Sequence, residues 1–169
     1  GQVIHHLGLT DGILAHATPP EARPKIFYTN SSYEYWGRGA SLIHTTLDGK
    51  GDAALPPSTR IYLFAGGHHG PAGFPPARNR TQNLANPNQF TLSMRALLGA
   101  LDRWVKDGVE PPPSLYPKIA DDNLVSVGAV QFPKIPGAAL PARPQKAYRV
   151  DYGPQFRSAG IVTIEPPKV

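Results

Sequence analysis

Two stretches decide how this chain folds: Lys25-Ile26-Phe27-Tyr28-Thr29-Asn30-Ser31-Ser32 and Arg60-Ile61-Tyr62-Leu63-Phe64-Ala65-Gly66-Gly67. Each is a short run of apolar, β-branched and aromatic residues that ends in turn formers, the pattern of a strand followed by a sharp change of direction. Between them, Tyr33, Trp36, Ala40 and Ile43 recur at helical spacing, weakened by Gly37 and Gly39. A strand, a helical stretch and a second strand roughly thirty residues on suit a right-handed βαβ crossover, which makes the strands parallel. Ser31 and Ser32 read as caps of the intervening helix. The expected fold class is therefore α/β.

Further out, the clearest helix is predicted from about Pro87 to Lys106. Asn86 is a natural N-cap, Pro87 suits the first helical position and Gln89 can close a capping box. Met94, Leu97, Leu98, Leu101, Trp104 and Val105 make one apolar stripe. Gly108 ends the helix and Pro111-Pro112-Pro113 prevents it from resuming. These features divide a single domain into three parts: an irregular lead-in over 1–24, a βαβα core over 25–110, and a Pro-rich tail over 111–169. In the tail, Leu124-Val125-Ser126-Val127 and Gly160-Ile161-Val162-Thr163-Ile164 are expected as edge strands or wrapping segments.

Composition narrows the chemistry. The chain has 169 residues, enough for one domain, and 20 Pro with 17 Gly make it rich in loops. With no cysteine, a thiol nucleophile, a disulfide scaffold and a cysteine metal site are excluded. The net charge is +5, but its 17 Lys and Arg are scattered, without the concentrated patch that nucleic acid requires. No apolar run is long enough to span a membrane, and the first residues lack the pattern of a signal peptide. The six histidines show no His-x-x-x-His or His-x-x-Glu-His spacing, so no metal site is expected. Two sequons, at Asn30 and Asn79, are read as coincidental.

His68-His69 lies in a glycine-rich turn just past the second strand. Ligands of open parallel sheets bind at the carboxyl ends of the strands, and a neutral imidazole there can serve as a general base. An ordinary surface histidine is the competing reading. Glu34 follows the first strand beside Tyr33, Tyr35 and Trp36, aromatics placed to shield a carboxylate that orients a histidine. Its competing reading is a first-turn glutamate stabilised by the helix dipole. A carboxylate after one parallel strand and a histidine after the next reproduce the acid-then-base order of an α/β-hydrolase.

The blocks Lys25–His44, Arg60–Pro71 and Arg95–Ser114 resemble a bacterial family known as the alpha/beta hydrolase domain family. The resemblance implies the C-terminal portion of an α/β-hydrolase fold. It makes Glu34 the triad acid and, through the pattern Ala-Gly-x-x-His-Gly-Pro, His69 the catalytic histidine. His68 falls at a variable position and is a candidate substrate contact. The implied activity is serine-type hydrolysis of a carboxylic ester, with a small-molecule ester as substrate and no cofactor. A nucleophile elbow, Gly-x-Ser-x-Gly, is absent from these residues. Ser31, Ser32 and Ser41 do not sit on such a turn. Gly160–Pro167 resembles an internal block of the family. The chain is therefore expected to hold acid and base but not nucleophile, and to need a missing N-terminal half or a companion chain. In the alternative reading it is a non-catalytic binding or structural segment of a hydrolase-like scaffold.

Overall fold

The computed structural model describes residues 2–4, 9–11, 19, 22–78, 80–146 and 150–168. His5, His6, His16 and the sequon at Asn79 lie outside the described residues. The architecture is mixed α/β around a two-stranded parallel sheet. Strands β1 (Gln2–Ile4) and β2 (Leu9–Asp11) form a short antiparallel pair. Strand β3 (Ile26–Ser31) leads into helix α1 (Ser32–Gly37), and strand β4 (Thr59–Phe64) lies beside β3. Helix α2 (Thr91–Asp107) and the one-turn α3 (Phe156–Ala159) follow.

Strands β3 and β4 pair in parallel from Ile26 opposite Thr59 to Ser31 opposite Phe64. Their chain directions therefore agree, and both end at one edge. The core sits against this ladder. Ile61 and Trp104 are almost fully buried, and the Phe27 ring meets Tyr62 edge-on at 5.1 Å and Trp104 at 5.8 Å. Two cations lie over the indole, Lys25 Nζ at 4.2 Å and the Arg60 guanidinium at 4.7 Å. Trp104 Nε1 donates to Glu110, which also accepts from Arg60. A large aromatic with its one polar atom satisfied is thus the anchor of α2.

The proline run after α2 does more than end a helix. Pro112 carbonyl accepts from the Tyr62 hydroxyl at 2.7 Å, and Ser114 Oγ accepts from Ile61 N. Leu115 then exchanges backbone hydrogen bonds with Ile61 and Leu63. The outer edge of β4 is covered by this extended segment.

Several expectations need correction. The lead-in over 1–24 is not wholly irregular, since β1 and β2 pair within it. The helical stretch after β3 is split: α1 stops at Gly37, Gly39 takes a left-handed φ of 61°, and Ala40–Ile43 winds as a 3-10 turn. Two glycines so close together lower the cost of that break. Helix α2 begins at Thr91, not near Pro87, and Phe90 at its N-cap position makes no side-chain cap. Asn86 and Gln89 are engaged elsewhere, as described below. Its C-terminus at Gly108, with φ 70°, agrees with the sequence. Neither apolar run of the tail is a strand. The first enters a 3-10 turn at Val127–Ala129, and the second runs irregularly beside the Asp151–Lys168 bridge. Frequent prolines remove the donors a ladder needs. No helix among the described residues is long and apolar enough to cross a membrane.

His44, which follows the 3-10 turn, is fully buried. Its Nε2 shares a 2.9 Å hydrogen bond with the Tyr35 hydroxyl, and the Tyr116 ring packs 4.6 Å away. Nδ1 has no partner among the described residues. Burial pushes its pKa below the ordinary histidine value, against the opposing pull of its own backbone and of the Asp52 carboxylate. The unfolded chain, with an ordinary pKa of about 6.5, then binds more protons than the folded one. Stability should hold above about pH 6.5 and fall as the pH drops through that value, levelling off below the folded pKa. Melting temperatures from pH 7.5 to 5 check this. His44→Gln, though less stable at pH 7.5, should show a shallower decline; equal slopes would remove His44 as the cause.

Candidate functional site

The parallel ladder delivers α1 and the Gly66–Gly70 turn to one end of the sheet. Ser31, the last residue of β3, is the N-cap of α1. Its Oγ accepts from Tyr33 N at 3.2 Å. Glu34 closes the box from the other side: its Oε2 accepts from Ser31 N and from Ser31 Oγ, each at 2.6 Å. The second oxygen of the same carboxylate, Oε1, lies 2.7 Å from His69 Nδ1. Glu34 is therefore both the first-turn helix glutamate and the partner of the histidine. The two readings of its sequence context are compatible, because a carboxylate has two oxygens.

Burial raises the Glu34 pKa, but the hydrogen bonds from Ser31 and His69 outweigh it and hold the carboxyl below the ordinary glutamate value. An ionised carboxylate can only accept, so His69 Nδ1 carries the shared hydrogen. In a neutral ring this leaves Nε2 as the acceptor. Nε2 has no partner among the described residues. The His69 side chain is 77% exposed and Glu34 18% exposed, so the imidazole is open to solvent while its orienting carboxylate is sheltered.

Both glycines before the histidines are needed. Gly66 has φ 71°, in the left-handed region, and its N–H donates to Ser32 Oγ at 2.8 Å. A Cβ on Gly67 would lie 3.0 Å from the Phe64 carbonyl oxygen and 3.1 Å from Ser31 Cβ. The turn thus packs directly onto the residue that caps α1. Further along the chain, Asn86 Nδ2 donates to Gly66 O, Asn88 Nδ2 to Ala65 O and Gln89 Nε2 to Ala72 O. These amides tie the histidine turn from outside. Asn86 and Gln89 carried a helix-cap signal in the sequence and Asn88 carried none, because a side-chain amide does not announce which backbone it will meet. Phe90 stacks on Phe64 at 5.0 Å and only 8° from parallel, which explains why α2 starts after it.

A cavity of about 240 Å³ opens beside the pair, bounded by Glu34 and His69, by Phe64 and Phe90, and by Asn30 and Met94. Asn30 Nδ2 is buried and without a partner among the described residues. His68 lies next to the pair without joining it; its ring sits 5.0 Å from that of Tyr33, which also lies 5.8 Å from His69. Of the three aromatics expected to shield Glu34, only Tyr33 is at this site. Tyr35 reaches His44, and Trp36 lines a different cavity. Adjacent residues of a helix leave it in different directions.

The serines are otherwise engaged. Ser31 is 3% exposed, with its hydroxyl given to Glu34. Ser32 holds Gly66 N, and Ser41 lines the other cavity. None hydrogen-bonds His69 among the described residues. No group of three or more His, Asp and Glu side chains with metal-holding geometry occurs among the described residues. Comparison of the chain with family models, with curated proteins and with solved structures finds no match in any of the three.

The geometry makes Ser31 a support of Glu34 as well as of α1. Ser31→Ala should cost about 1 kcal/mol of stability as a lost cap. It should also move the Glu34 titration, followed by carboxyl carbon NMR, upward toward the ordinary value. An unchanged Glu34 titration would mean that the hydroxyl contributes nothing to the carboxylate.

Proposed function

We propose that this chain is part of a serine-type hydrolase acting on carboxylic esters, with an α/β-hydrolase fold of which β3, β4 and their helices are the C-terminal portion. The observation that carries the reading is the 2.7 Å contact of His69 Nδ1 with Glu34 Oε1, which leaves Nε2 without a partner among the described residues at the carboxyl end of parallel strands. It is supported by the resemblance of the surrounding blocks and by the order of acid before base.

In the complete enzyme a serine on polypeptide outside these residues attacks the ester carbonyl. His69 Nε2 takes the serine proton as the new C–O bond forms, then passes it to the leaving alcohol as the acyl–oxygen bond breaks. Water then adds to the acyl carbon and gives its proton to the same nitrogen; the bond to the serine oxygen breaks, His69 returns the proton to that oxygen, and the carboxylic acid leaves. Glu34 stays ionised throughout; it holds the ring in the tautomer that keeps Nε2 basic and offsets the imidazolium charge. The substrate is a small-molecule ester, and the mechanism uses no cofactor. His68, turned to the Tyr33 ring, is a candidate contact for the substrate.

The 169-residue chain alone should neither hydrolyse p-nitrophenyl acetate above the level of exposed histidines nor take up a fluorophosphonate probe. A base and its orienter without an activated oxygen form no acyl-enzyme. In a longer natural polypeptide that contains these residues, labelling and hydrolysis are expected. There His69→Ala should lower kcat on the order of 10³-fold or more, and His68→Ala far less. Stoichiometric labelling of the chain alone, or equal losses from the two histidine variants, would overturn these assignments.

A further inference from the structure

A second, larger cavity of about 600 Å³ lies on the other side of α1 and β4. Leu63 lines it, whereas Phe64, the next residue of β4, lines the cavity of His69. Successive residues of a strand point to opposite faces, so the two cavities flank the sheet. Trp36, Leu42, Leu63, Val125, Val127 and Val130 supply apolar wall. These surfaces are not sealed: Val125 is 41% exposed, and Trp36, Leu42 and Leu63 are only half-buried.

The walls are built into the fold. Helix α1 and the 3-10 turn at Ala40–Ile43 form one side and β4 the back. The tail forms the other side: Asn123 Oδ1 accepts from Lys118 N at 2.6 Å, Asn123 and Leu124 return hydrogen bonds to Lys118 O, and the Asp52 carboxylate ties this turn to the rest of the fold by accepting from Ile119 N and Ala120 N. The rim is closed by Pro144–Lys146, where Gln145 N donates to the Trp36 carbonyl at 2.7 Å. A concave, largely apolar space of this size, with a few polar groups at its edge, has the form of a small-molecule site.

Charge selects the ligand. Among the described lining residues Lys146 is the lone ionised side chain, and none is Asp or Glu. Lys146 has no ion-pair partner among the described residues. An apolar body under one cation at the rim suits an amphiphile with a single anionic head and repays poorly any cationic one. We propose that this cavity binds a monocarboxylate with an aliphatic or aryl-alkyl body, its chain against Trp36 and Leu63 and its carboxylate at Lys146. The proposal does not rest on the hydrolase reading, because it involves neither His69 nor Glu34.

Decanoate is a suitable probe, with decyltrimethylammonium as the cationic control. Decanoate should bind one-to-one with a Kd on the order of tens of micromolar by calorimetry, and should change Trp36 emission. Trp36→Phe should abolish the emission change, since the remaining tryptophan, Trp104, is buried in the core on α2. Lys146→Gln should weaken decanoate binding about three- to tenfold, and the cationic control should not compete. Val125 is exposed on the tail wall, so Val125→Glu should fold as the parent does by circular dichroism and still lose decanoate binding through repulsion. Non-saturable uptake, equal binding of the cation, or full decanoate binding by a folded Val125→Glu variant would each overturn the proposal. His69→Ala should leave decanoate binding unchanged; loss of binding there would mean that the probe occupies the other cavity.

Discussion

The parallel ladder between β3 and β4 is the constraint on which everything else rests. In a parallel pair both strands finish at the same edge, so α1 and the Gly-Gly-His-His turn leave the sheet side by side although far apart in sequence. A two-stranded sheet is marginal by itself. Here it is held from one face by α2 through Trp104, whose indole meets Phe27 and carries Lys25 and Arg60 over its ring. It is held at the outer edge of β4 by the segment from Pro112 to Leu115. Proline suits that position, because an extended edge segment can spare some of its donors.

From that edge the histidine site follows through one carboxylate. Glu34 caps α1 with Oε2 and meets His69 with Oε1. Helix start and imidazole orientation are thus mechanically joined: whatever displaces Ser31 displaces Glu34, and with it His69. Gly67 adds a second link, since the turn that carries His69 lies within side-chain contact of Ser31 itself. The asparagines at 86 and 88 hold the same turn from the far side. An exposed imidazole is here positioned by buried or backbone-bound partners rather than by its own packing.

Helix α1 serves two environments at once. Glu34 turns toward the histidine and Phe64, while Tyr35 and Trp36 turn toward His44 and the larger cavity. The helix has six residues, more than one full turn, so they radiate to all sides. The left-handed Gly39 then redirects the chain and places Ser41 and Leu42 on the wall of that cavity. A longer uninterrupted helix would carry the chain past it.

Local chemistry along the chain was sufficient for the two strands, their parallel sense, the cap at Ser31 and the end of α2 at Gly108. Strand composition, crossover length, hydroxyl capping and the left-handed glycine each act within a few residues or through chain geometry, so they can be read from sequence. The common location of Glu34 and His69 followed from the same parallel sense. What remained hidden depended on partners distant in the chain. Asn86 had the chemistry for a helix cap and became a tie to Gly66, because that carbonyl is close only in the folded protein. Phe90 displaced the start of α2 by stacking on Phe64. His44 looked like any other histidine until Tyr35 and Tyr116 enclosed it. The tail had strand-like apolar runs but no strand to pair with, and it became a cavity wall instead. Capping, turn chemistry and periodicity are properties of neighbours in sequence; which amide, aromatic ring or apolar run meets which surface is set by distance in space, and only the tertiary structure decides it.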